Sequence, residues 1–144
     1  MLGAEQTLTV WNRYRAADAK VDVFYRYVIP VKCRYEQKIE RTVAANAAST
    51  IAIASSQAAN IPWTSAYKLP SEWLALEPGE REEYFTLQEK DLIALGTPDV
   101  EITTVAPYRE SDVRQLLKPG VFSITAIQDN TQRSLGKHWR VEGV

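Results

Sequence analysis

VFSITAIQDNTQRSLGKHWRVEGV, residues 121–144, is the stretch whose reading decides the fold. Phe122, Ile124 and Ala126 alternate with Val121, Ser123, Thr125 and Ile127, and a period of two is the mark of a strand. The polar turn DNTQRSLG follows, and KHWRVEGV returns with the same alternation, so the two runs are expected to pair as an antiparallel hairpin. On the return run His138, Arg140 and Glu142 share a polar face, while Trp139 and Val141 point the other way. Asp129, Asn130, His138 and Trp139 are therefore expected to build the hairpin, the first three by fixing its turn.

Outward toward the N-terminus, PYRESDVRQLLKPG places Val113, Leu116 and Leu117 at helical spacing, with Ser111 or Glu110 at the start and Pro119-Gly120 at the end. EREEYFTLQEKDLIALGT has two apolar runs, Tyr84 to Leu87 and Leu92 to Leu95, on either side of the polar QEKD, which reads as a second hairpin. LPSEWLALEPG predicts a single helical turn capped by Ser71 and stopped by Pro78-Gly79. RYEQKIERTV and TIAIAS read as two strands joined by an Ala/Asn loop, although alanine-rich text also suits a helix. KVDVFYRYVIPVKCRY alternates through Val21, Val23, Tyr25, Tyr27 and Ile29 until Pro30, which has no backbone donor for the ladder. QTLTVWNRYR alternates Leu8, Val10, Asn12 and Tyr14 against Thr7, Thr9, Trp11 and Arg13. Short strands, frequent turns and no internal repeat predict a mainly β single domain over residues 1–144, a small barrel or sandwich with one or two short helices.

A chain of 144 residues buries about 70% of its extended surface, enough for a core without metals or disulfides. Cys33 is the only cysteine, which excludes an intrachain disulfide and a four-cysteine zinc site. Basic residues number 17 and acidic residues 18, so no summed charge draws the chain to nucleic acid or anionic lipid. The nearest basic stripe, Arg13, Arg15, Arg26 and Arg34, sits among acidic neighbours. Thr42 to Tyr67 carries no charge, but its alanine, Asn46, Gln57, Asn60 and Pro62 do not suit a membrane span, and MLGAEQTLTV does not read as a signal peptide. No membrane association is expected.

Catalysis by a triad would have to converge on His138, the sole imidazole, with Asp129 as its orienting carboxylate. A polar-face histidine beside an Asp-Asn turn accounts for the same residues without chemistry. Cys33 between Lys32 and Arg34 reads as a small core residue, and Glu77, Glu80, Glu82 and Glu83 as a solvated loop. No phosphate-binding glycine loop and no metal-ligand spacing occurs, so no catalytic, metal or cofactor-binding residue is expected. Four tryptophans and seven tyrosines point to contact surfaces, with Trp11, Trp63, Tyr67 and Trp73 as candidate interface residues. The uncharged Thr42 to Tyr67 stretch suits the centre of an interface or a lumen-facing loop.

The succession ANIPW, LPSEWLAL, FTLQEKDLIALG and VFSITAIQDNTQRSLGKHWRVEG resembles the small minor capsid, or head-tail connector, proteins encoded by tailed phages and prophages of Gram-positive bacteria. The likeness runs from QTLTVWNRY to the last hairpin, and departs where related chains tend to carry Gly-Asp and this one has Lys90-Asp91. It implies a non-enzymatic, stopper-like head-completion subunit that joins copies of itself in a ring between the portal or adaptor and the tail terminator. It further implies synthesis in the bacterial cytoplasm, residence at the virion head-tail junction, and non-specific contact with packaged DNA. Two other readings compete: a non-catalytic carbohydrate-binding β-sandwich with a row of exposed tryptophans, and a tail-terminator-type protein.

Overall fold

The computed structural model describes residues 6–15, 20–43 and 51–144. Among them the chain forms β1 (Leu8–Tyr14), β2 (Val23–Val28), β3 (Arg34–Val43), β4 (Ile51–Pro62), α1 (Pro70–Leu74), α2 (Pro78–Arg81), β5 (Leu92–Leu95), α3 (Glu110–Leu117), β6 (Val121–Asn130) and β7 (His138–Gly143). The strands pair antiparallel in one seven-stranded sheet of order β2-β1-β5-β6-β7-β4-β3. The mainly β class is as the sequence predicts, and β2 ends at Val28, just before Pro30.

β6 decides the shape. Its first residues pair with β5, Leu92 opposite Ser123, and its later residues pair with β7, Asn130 opposite His138. The register shifts between Ile124 and Ala126. An extra residue in one strand bends it and sharpens its twist, so the two halves of the sheet turn toward each other. Leu8, Val10 and Ile93 from one half meet Ile61, Trp139 and Val141 from the other, with Phe122 and Ile124 between them. Across the opposite side, Gln6 and Cys33 exchange backbone hydrogen bonds of 2.9 and 2.6 Å. That single bridge links the start of β3 to the start of β1 without a ladder, so the arrangement is sandwich-like and not a closed barrel.

The central strands are covered on both faces. Trp11, Leu92, Ala94 and Val121 point away from the main core into a second cluster, completed by Ile102 and by Val113 of α3. The Trp11 Nε1–H donates to Val100 O at 3.0 Å. Each fully buried large apolar side chain contributes about 1.5–3 kcal/mol, so α3 is held chiefly by its packing on this face. Asp112 accepts from the backbone N–H of Arg109 at 3.1 Å and from its Nε at 3.0 Å, which places the helix start at Arg109, one or two residues earlier than the sequence indicates.

Three local expectations are corrected. Tyr84 to Leu87 is not a strand of a hairpin with β5: Phe85 and Leu87 enter the core from irregular backbone, and Phe85 bridges Tyr67 instead. Ser71 does not cap α1, because the helix begins at Pro70, whose fixed φ suits a first helical position and which has no N–H to satisfy. Pro78-Gly79 opens α2 for the same reason instead of ending α1, giving three helices among the described residues where one or two were expected. α2 is pinned by Arg81, only 7% exposed, whose guanidinium lies 3.9 Å from the Tyr14 ring centroid and donates to Leu74 O at 3.3 Å.

β3 and β4 pair over ten residues, from Arg34 opposite Asn60 to Val43 opposite Ile51. β7 covers β4 only from Gln57 to Pro62. Beyond that point, among the described residues, the ladder continues as a two-stranded ribbon. The expected Ala/Asn loop between the strands lies outside the described residues.

Candidate functional site

The closing hairpin gathers the sole imidazole and its neighbours. Asn130 stands opposite His138 and Asp129 opposite Trp139. A carbonyl oxygen only accepts, so His138 Nδ1 carries the proton that it donates to Gly136 O at 2.7 Å, and Nε2 accepts from Asn130 Nδ2 at 3.2 Å. Gly136 reaches that position with φ +65, in the left-handed region where glycine is unstrained. Asp129 accepts from the Thr131 hydroxyl at 2.6 Å and from its backbone N–H at 2.8 Å, and these bonds hold its carboxyl below the usual range. The carboxylate is thus spent on the turn and does not orient the imidazole. Both ring nitrogens are engaged by hairpin atoms, with no hydroxyl or thiol on either. His138→Ala should cost about 1 kcal/mol in urea unfolding, the ordinary worth of such bonds, without altering the fold.

Trp139 lies on the opposite face, 3% exposed, with its ring centroid 4.2 Å from that of Tyr67. It is core, as alternation required of its face. The candidate interface aromatics separate into two groups. Trp11 and Trp73 are fully buried within their own chain and cannot present a surface, which corrects that expectation for both. Trp73 fits between Tyr14 and Tyr25, edge-on to each, and its Nε1–H donates to Tyr84 O at 3.3 Å. Tyr67 is half-buried against Phe85 and Trp139. Trp63 alone stands in solvent, 55% exposed, and its backbone N–H donates to Lys137 O at 2.9 Å, beside the turn of the last hairpin.

Of the remaining candidates, Cys33 is buried and its thiol is pushed up to about 12 by that burial, the opposite of what a nucleophile needs. Glu77, Glu80, Glu82 and Glu83 are exposed. Among the described residues no group of three or more His, Cys, Asp or Glu is placed to hold a metal ion. The basic stripe is locally balanced: Arg13 and Arg15 lie 3.6 and 2.9 Å from Asp22, Arg26 contacts Asp99 and Glu101 at 3.1 and 2.7 Å, and Arg34 contacts Glu36 at 3.2 Å. Part of the uncharged Thr42 to Tyr67 stretch has a plain explanation, since Gln57, Ala58, Ala59 and Ile61 are buried in the sheet.

A polar cluster that sequence reasoning missed lies beneath β1. Asp91 has no exposure, and its carboxylate accepts from Asn12 Nδ2 at 2.7 Å, from Arg13 N at 2.8 Å and from Gln88 N at 3.0 Å. Asn12 in turn donates to Thr86 O at 2.7 Å and accepts from Thr86 N at 3.1 Å. Burial pushes the Asp91 carboxyl up to about 7, against the pull of these donors. The cluster stitches residues 86–91 to β1 where no ladder exists. Its donors are backbone and amide groups facing inward, an arrangement suited to fixing a loop.

Against known proteins, a family model described as a family of unknown function (DUF6751) matches residues 3–144. The chain belongs to that family. No curated protein and no solved structure matches the chain. Among the described residues no helix is long and apolar enough to cross a membrane.

Proposed function

We propose that this DUF6751 member is a structural subunit of a phage head-tail connector, a stopper-like ring component between the portal or adaptor and the tail. The observation that carries the reading is the β3–β4 ribbon, which runs past the last strand covering it, with a β4 side that has no charged residue from Ile51 to Pro62. A lone two-stranded hairpin is marginal in water, so such a ribbon is best supported by a second surface. A subunit wedged between neighbours above, below and to each side supplies one. The pairing of Arg13, Arg15, Arg26 and Arg34 with carboxylates also suits a channel wall along which DNA slides, because unpaired cations would grip phosphates.

The carbohydrate-binding alternative needs a row of tryptophans on one sheet face. Trp11, Trp73 and Trp139 are at most 3% exposed, so Trp63 would stack on a sugar alone. Deleting the gene from the phage or prophage that encodes it tests the proposal. The expected result is DNA-filled or leaking heads separated from finished tails by electron microscopy. Infectious particles at unchanged yield would overturn it.

A further inference from the structure

Two exposed apolar surfaces lie at opposite ends of β6. At its C-terminal end, the turn of residues 131–137 presents Leu135, 85% exposed, between Arg133 and Lys137, and Trp63 adjoins it through its bond to Lys137. Ten residues of β6, at ~3.3 Å each, separate that turn by roughly 30 Å from the strand's beginning. There α3 and the chain before it form a shallow, open groove of about 430 Å³ lined by Pro107, Tyr108, Asp112, Gln115 and Leu116. Tyr108 is 51% and Leu116 69% exposed. An exposed leucine in the turn, with the exposed Trp63 on the adjoining strand end, makes an apolar anchor, and an apolar groove bordered by a tyrosine is what such an anchor fills.

Charge agrees with shape. The turn carries the cations Arg133 and Lys137 against the single anion Asp129, and neither cation forms an ion pair among the described residues. The groove's charged lining residue is Asp112, and the first turn of α3 adds Glu110, set against Arg109 alone at the helix start. The knob and the groove cannot meet within one chain, since β6 holds them apart.

We propose that the Leu135–Trp63 end of one copy seats in the α3 groove of a second copy. The contact is heterologous: each copy uses a different surface for each neighbour, so successive copies close into a ring or continue as a stack. The inference rests on the connector reading for its biological setting, while the contact itself is a property of the purified chain. Sedimentation of the full-length protein tests it. The wild type should associate with rising concentration, less so at high salt. Leu135→Asp and Leu116→Asp, both at exposed positions and checked for unchanged thermal melts, should each weaken association ~tenfold or more. Because each variant keeps one intact surface, an equimolar mixture should form a one-to-one dimer and nothing larger. A wild type that stays monomeric throughout, a variant that associates like wild type, or a mixture that never pairs would each overturn the proposal. If the groove instead captures portal protein while the chain alone is monomeric, the second-copy contact falls and the connector reading stands.

Discussion

Asp91→Ala is expected to lower unfolding stability by about 3–5 kcal/mol, because it strands buried donors that have no other acceptor. The N–H groups of Arg13 and Gln88 both end on the lost carboxylate, and the Asn12 Nδ2 amide keeps only its bond to Thr86 O as a donor. Chemical denaturation at neutral pH measures this directly. Asp91→Asn isolates the charge, and here the sign of the pH effect is set by burial. The folded chain holds the Asp91 proton up to about pH 7, whereas an unfolded chain releases it near 3.8. This group therefore favours the folded state fully below about pH 4, and that contribution fades as pH rises to about 7, by an amount on the order of 4 kcal/mol. Urea midpoints from pH 4 to 8 should fall for wild type relative to Asp91→Asn. Parallel curves for the two proteins would show that Asp91 is not the titrating group.

Gly143→Ala is the second large expected effect. A methyl group there would lie 1.8 Å from the carbonyl oxygen of Ser123 and 2.7 Å from Cδ2 of Phe122. The oxygen is backbone and cannot swing away. Gly143 also pairs with Gln57 on one side and Ile124 on the other, so displacing it disturbs β4, β6 and β7 together. Overpacking of this kind costs about 3 kcal/mol or more. A thermal melt of Gly143→Ala close to that of the wild type would contradict the close approach of the two strands.

Periodicity and apolar runs along the chain were enough to find β1, β2, β3, β5, β6, β7, the start of β4 and the helix before β6, whereas the continuation of β4 to Pro62 runs through small and polar residues that carry no such pattern. Alternation could not tell whether a face is covered. Trp11 lies opposite Leu8 and Val10 as the pattern indicates, yet α3 and Ile102 close over it, and nothing local to QTLTVWNRYR signals that cover. The Tyr84–Leu87 run fails for a related reason: an apolar run beside a polar turn looks the same whether a ladder or a buried carboxylate holds it. Lys90 offered a faint signal. It adopts φ 74, a conformation costing a non-glycine residue about 1–2 kcal/mol, at the place where the resemblance leads one to expect glycine. Of the proposed contact surfaces, Trp63 was among the interface aromatics the sequence offered, with nothing to set it apart from the buried Trp11 and Trp73, whereas Leu135 gains its meaning only from the groove at the far end of β6.

The pairing of β1 with β5, Leu8 opposite Leu95, has a consequence for biosynthesis. β1 leaves the ribosome with only β2 as a local mate, and its other edge waits until residues 92–95 are translated. The main core then needs Trp139 and Val141, which follow β5 in the chain. Folding dominated by such distant partners is slow and leaves apolar surface uncovered meanwhile, so the nascent protein is expected to need chaperone shelter until β7 has emerged.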